Sequence, residues 1–243
     1  MKLHYIFHSG FAIETDDTVV IIDYFQDSSD QKINTGIVND KLLQSGKKIY
    51  VLSTHAHPDH FNPFILEWRN KNPKIQYVFS KDILDHRLCK KTDAEFIDKG
   101  DSYEDDTLSI EAFGSTDQGI SMLIHINKSL IFHAGDLNNW HWKSDASEEE
   151  SLEAEQFYLA ELTEIYRKYK VMDLVIFPVD PRMQKDYYLG AEQFIEKIST
   201  KYFTPMHFDY EYKEASAFKA IAQKNGAKFL EIKEKGQTFE LDL

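Results

Sequence analysis

The chain has 243 residues, 41 acidic against 28 basic, for a formal net charge of −13; such a surface repels phosphate backbones and argues against nucleic acid as a partner. Hydrophobic residues make up 42% and charged residues 28%, the balance of a soluble globular protein, and the one cysteine, Cys89, rules out an internal disulfide and suits a reducing compartment. The first eight residues lack the apolar core of a signal peptide and no run reaches the ~20 apolar residues of a membrane span, so a cytoplasmic protein away from membranes is expected.

Residues 2–7, 11–15 and 18–24 are β-branched and aromatic runs separated by Ser9-Gly10 and Asp16-Asp17, which predicts three short strands. A helix over 37–45 should end at Gly46. Ile49-Tyr50-Val51-Leu52 is continuous enough for a buried strand. Helical character follows at 63–71 and 81–88, with an extended piece at 75–79 between them. Strands are predicted at 107–113, 119–126 and 129–134. The clearest helix runs over about 148–169, where Ser147 and Glu150 form a reciprocal cap and Leu152, Leu159, Leu162, Tyr166 and Tyr169 supply an apolar stripe. The rest alternates: strand 173–178, helix 190–199, strand 201–206, helix 213–224, then short strands near 227–232 and 237–241. No repeat, linker or shift in composition divides the chain, so a single domain over 1–243 is expected. A strand-rich first half and an alternating second half suggest an α/β arrangement of two sheets with helices on their outer faces.

Chemistry concentrates in Ser53-Thr54-His55-Ala56-His57-Pro58-Asp59-His60-Phe61, on the loop after the buried strand. Chance places a His-x-His-x-Asp-His frame in roughly one or two per thousand chains of this composition. Imidazole and carboxylate are ligands for zinc and its first-row neighbours. His55 and His57, two apart in extended chain, can face one ion. Pro58 then bends the chain so that Asp59 and His60 can face a second.

This motif resembles the signature of the metallo-β-lactamase superfamily, and is most similar to the ascorbate-6-phosphate-lactonase-like branch. The resemblance runs from Gly10 through His207 and implies a four-layer αβ/βα sandwich. It also implies a bridging aspartate, Asp136 in Phe132-His133-Ala134-Gly135-Asp136, and a last metal ligand, His207 in Pro205-Met206-His207. The family's third histidine is missing: the region reads Phe113-Gly114-Ser115-Thr116-Asp117-Gln118, where Asp117 is the better substitute donor and Ser115 the positional equivalent. His125 lies mid-strand and is expected to pack or face solvent. Cys89 is expected to be inert.

Further candidates surround this core. Trp140-His141-Trp142 follows Asp136, and Trp140 and His141 are read as a pocket wall, with His141 touching substrate. Arg182 after Asp180-Pro181 is placed to clamp a carboxylate or phosphate, or to pair with an acid. His133 and Asp209 are candidates to orient metal ligands, and His8 to lie near the pocket. The resemblance implies a hydrolase with two divalent ions, zinc first with manganese or iron as alternatives. A hydroxide bridging the ions would attack a small-molecule ester, lactone or phosphodiester, with Asp59 shuttling its proton. The competing reading is a non-catalytic metal- or ligand-binding protein with a degenerate first site. The redox branch of the superfamily replaces the second motif histidine by glutamate, whereas His57 is present here.

Overall fold

A computed structural model describes residues 1–30 and 33–243. By contacts between Cα atoms the chain forms two compact units, residues 1–98 with 233–243, and residues 99–232.

In the first unit the strands are β1 (Lys2–Phe7), β2 (Gly10–Glu14), β3 (Thr18–Ile22), β4 (Lys48–Ser53), β5 (Gln76–Ser80) and β6 (Glu95–Ile97). They lie side by side in that order, with the terminal strand Thr238–Glu240 outside β1. The β1–β2–β3 hairpins are antiparallel, and β3 to β6 run parallel. Parallel strands covered on both faces need apolar side chains throughout, which is why Val19-Val20-Ile21-Ile22 and Ile49-Tyr50-Val51-Leu52 are uninterrupted and at most 1% exposed. Helix α1 (Asp40–Leu43) is shorter than the expected 37–45, because Asn39 caps it by accepting from Leu42 N. The segment Pro63–Asn70 is helical as expected, but of the tighter 3₁₀ type. Helix α2 (Lys81–Asp85) follows β5 directly.

The second unit repeats the plan: β7 (Ser102–Glu104), β8 (Leu108–Phe113), β9 (Ser121–Ile126), β10 (Ser129–His133), β11 (Val171–Pro178), β12 (Ser199–Met206) and β13 (Lys228–Phe229) form one sheet in sequence order. Strands β7 to β10 are antiparallel and β10 to β13 parallel. Pro205 has no N–H to give a ladder; β13 pairs only with Tyr202 and Phe203, so Pro205 sits where β12 has a single strand neighbour. Helices α3 (Glu148–Lys168) and α4 (Leu189–Lys197) join β10 to β11 and β11 to β12, and the expected 213–224 helix is two pieces, α5 (Tyr212–Ser216) and α6 (Lys219–Lys224). The capping box of α3 is present. Its buried face, however, is Ser151, Tyr158, Glu161, Leu162 and Ile165, while Leu152 is 53% exposed. The expected stripe therefore sits about one position off the true inner face. Phe177 packs at 4.9 Å from Phe194 and 6.3 Å from Tyr158 between centroids, tying β11 to α4 and α3. Among the described residues no helix is long and apolar enough to cross a membrane.

Candidate metal centre

Strand β4 ends at Ser53, and Thr54 to His60 turn back over its end, with His60 N and Phe61 N both donating to His57 O. Pro58 at the apex separates the donors into two sets. His55 Nε2 and His57 Nδ1 come within 3.1 Å, a spacing that two imidazoles sharing one ion at ~2.0–2.1 Å can adopt. The other set consists of His8, Asp59 and His60, whose ligand atoms all lie within 4.8 Å of one another. His55 and His60 are fully buried and Asp59 is half-buried.

These rings are held from behind. Asp23, the residue after β3, is buried and accepts from Thr54 N at 2.8 Å, Thr54 Oγ1 at 2.7 Å and His60 Nδ1 at 2.7 Å. Because the Thr54 hydroxyl donates to Asp23, its lone pairs can accept from His55 Nδ1 at 3.1 Å. One carboxylate thus fixes the tautomer of both histidines, with Nδ1 protonated and Nε2 left as the donor to a cation. Asp82 in α2 pins the loop by accepting from Ala56 N at 2.8 Å. Sequence reasoning missed Asp23, Thr54 and Asp82. Only Asp23 had a local signal, an acid directly continuing the apolar run Val19-Val20-Ile21-Ile22.

In the second unit, β10 leads through Ala134 and Gly135 to Asp136, and β12 leads to His207. Gly135 has φ 53°, which the turn requires. Asp136 and His207 are buried, with His207 Nε2 3.4 Å from Asp136 Oδ1. His207 Nδ1 meets Asp180 Oδ2 at 3.0 Å, so the orienting role considered for Asp209 falls to Asp180. Burial alone would raise the Asp180 carboxyl, but hydrogen bonds and charge from His207 and Arg182 outweigh it and hold it at about 2. His133 is a buried brace, its Nδ1 accepting from Gly135 N at 3.2 Å.

Several candidates are placed differently from the expectation. Asp117 is exposed on the β8–β9 turn, and no group of three converging metal donors among the described residues includes it. Ser115 is buried, and its hydroxyl accepts from Asp117 N. Arg182 spends Nε and Nη2 on Asp180, at 2.9 Å and 2.6 Å, so pairing with an acid is its observed role. His141 is 1% exposed and spans two backbone groups: Nδ1 accepts from Lys143 N and Nε2 donates to Asp186 O, each at 3.1 Å. That leaves it no ring nitrogen for substrate, and burial lowers its pKa. Trp140 stands 5.5 Å from the His207 ring, donates Nε1–H to Asp136 O, and stacks on the partly exposed Trp142 at 6.2 Å. His125 faces solvent.

A family model described as a beta-lactamase superfamily domain matches residues 2–207. No curated protein matches the chain. Solved structures similar to it include a metallo hydrolase from the hyperthermophilic archaeon Ignicoccus hospitalis, 22% identical, with a TM-score of 0.68 and 99% of each chain covered. Another is described as a metal-dependent hydrolase from Parabacteroides distasonis, 16% identical, TM-score 0.64, covering 95% of this chain and 93% of that one. A third is the diiron β-hydroxylase CmlA of Streptomyces venezuelae, 13% identical, TM-score 0.66, covering 99% of this chain and 54% of that one. Identities this low show a shared fold, the metallo-β-lactamase fold, and nothing finer.

Proposed function

The chain belongs to the beta-lactamase superfamily, and from that premise we propose that it is a binuclear metal-dependent hydrolase of small molecules. In this reading the first unit offers His55 and His57 to one divalent ion and Asp59 and His60 to another, and the second unit offers Asp136 and His207 as donors of its own. The observation that carries it is the division of the motif loop into two donor sets by Pro58, with His55 Nε2 and His57 Nδ1 only 3.1 Å apart. The donors suit such ions: imidazoles with Nδ1 engaged by Asp23, Thr54 and Asp180, together with carboxylates. Zinc is the first choice for this mixture; manganese or iron remain open to it, and the neighbour CmlA is a diiron protein.

Bound there, divalent ions would polarise an ester or phosphoryl oxygen and make water acidic enough to ionise near neutral pH. The chain's own groups do the rest. Asp59, half-buried, accepts a hydrogen bond from the attacking water and carries its proton towards the leaving group. Asp23 and Asp180 keep His60 and His207 in the tautomer that presents Nε2. Trp140 and Trp142 offer stacked indole faces to the apolar part of a substrate. A lactone or other cyclic ester is the first substrate class and a phosphodiester the second. The net charge of −13 speaks for small molecules over nucleic acid.

The alternative, a metal- or ligand-binding protein without turnover, draws on the exposure of Asp117, which leaves the His55–His57 set without an evident further donor from that turn. Metal content per chain, measured on protein purified without chelator and followed by lactone and phosphodiester assays, separates the two. Two ions with turnover abolished in His57→Ala support the hydrolase. One ion or none, with no turnover, leaves the binding protein.

A further inference from the structure

The geometry points to His8 as an additional metal ligand, joining Asp59 and His60 in a three-donor set built from the first unit alone. The inference rests on the metal-binding reading above but goes beyond the donors the family pattern supplies. His8 lies off the motif loop. It occupies the first position of the two-residue turn joining β1 to β2.

Three observations carry it. The first is convergence: the ligand atoms of His8, Asp59 and His60 all lie within 4.8 Å of one another, His8 Nε2 is 3.4 Å from Asp59 Oδ2, and the His8 and His60 rings meet edge-on at 6.1 Å. The second is burial. Hairpin tips are ordinarily solvated, yet His8 is 1% exposed. The third is the backbone. His8 has φ 56°, a left-handed conformation that a two-residue hairpin normally gives to glycine or asparagine. Strained backbone of this kind clusters at ligand clamps, and together with the convergence and burial it points to a role for the imidazole.

The surrounding residues support the strained turn. Tyr5 Oη accepts from His8 N at 2.9 Å. At Gly10 a Cβ would come within 2.9 Å of Phe7 O and 3.0 Å of Asp23 O, so only glycine lets the hairpin press against Asp23. Asp23 also orients His60. The same carboxylate residue therefore fixes the His60 ring and the seat of the hairpin that carries His8. The set needs nothing from the turn where the third histidine is missing, so the ion it holds should load first and tightest.

The test uses the full chain with cobalt(II), followed by chelator competition and the visible ligand-field spectrum. His8→Asn keeps a residue that tolerates φ 56° while removing the imidazole; His8→Gly serves if the asparagine variant fails to fold. The expected result is one of two cobalt ions weakened by about tenfold or more, with a changed spectrum and unchanged far-ultraviolet circular dichroism. Weakened binding with an unchanged spectrum would overturn the assignment and make His8 a positioning residue acting through Asp59. Unchanged affinity and spectrum would overturn it while leaving the binuclear reading intact. A wild-type chain that binds no cobalt would remove both.

Discussion

Asp23→Asn tests the logic of the site most directly, because it changes one oxygen to one nitrogen at a position whose φ of 48° asparagine tolerates. The wild-type carboxylate accepts three bonds, from Thr54 N at Oδ1 and from Thr54 Oγ1 and His60 Nδ1 at Oδ2. If the amide oxygen keeps Thr54 N, the amide nitrogen faces a hydroxyl and an imidazole N–H. The hydroxyl can turn and accept, but His60 must move its proton to Nε2. Hydrogen bonds to a charged partner are worth about 1.5–3 kcal/mol each, and a neutral replacement about 1 kcal/mol. Three bonds to a charged acceptor become three between neutral groups, each weaker by about 0.5–2 kcal/mol, for a net loss of about 2 kcal/mol or somewhat more. For a chain of this length that lowers the melting temperature by about 4–8 °C. The melt is run with chelator so that metal loss does not enter. Separately, a proton on Nε2 should weaken the ion that His60 holds by about 10–100-fold, read by chelator competition. A variant with wild-type melting and wild-type metal affinity would refute the claim that Asp23 sets the His60 tautomer.

Three shorter predictions accompany it. In Gly190→Ala the new Cβ would lie 2.0 Å from Asn138 Oδ1 and 2.7 Å from Asn139 N; overpacking of this kind costs about 1–3 kcal/mol, so the urea midpoint should fall at constant m-value, and an unchanged midpoint would refute the close approach. Leu162→Ala should cost about 2–5 kcal/mol and Leu152→Ala no more than about 0.5 kcal/mol, since Leu162 is buried and Leu152 is 53% exposed; equal costs would move the inner face of α3. Burial, with Asp93 adding to it, pushes the Cys89 thiol up to about 11. The smaller thiolate fraction, partly offset by higher nucleophilicity, should slow alkylation at neutral pH by about tenfold relative to a free thiol; labelling at the free-thiol rate would refute the effect of partial burial on this half-buried side chain.

Elements that are continuous in composition were legible in the sequence. β3 and β4 are apolar runs, and α3 announces its start with Ser147 and Glu150. What escaped was short or set by partners. β6 and β7 have three residues each and exist through the strands beside them, β5 and β8. Spacing alone weighs Leu152 and Leu162 alike, and so places the inner face of α3 about one position off. The structure instead buries Glu161, whose carboxylate receives Lys99 Nζ at 2.8 Å and 2.9 Å, a contact 62 residues away in sequence.

The site divides along the same physical line. His55, His57, Asp59 and His60 are neighbours in sequence, so their spacing carried the chemistry directly. The residues that hold them are neighbours only after folding: Asp23 reaches His60 across 37 positions, and Asp180 reaches His207 across 27. A buried carboxylate at a strand end has no sequence period to betray it. Backbone strain is equally silent, yet His8, Asp23 and His207 all have left-handed φ, at 56°, 48° and 66°. Each is a non-glycine residue at the end of a strand or in the turn that follows. There a left-handed step swings the side chain off the strand's alternating path, where the pleat would have aimed it at one face of the sheet. That step places donors and their supports at the strand ends.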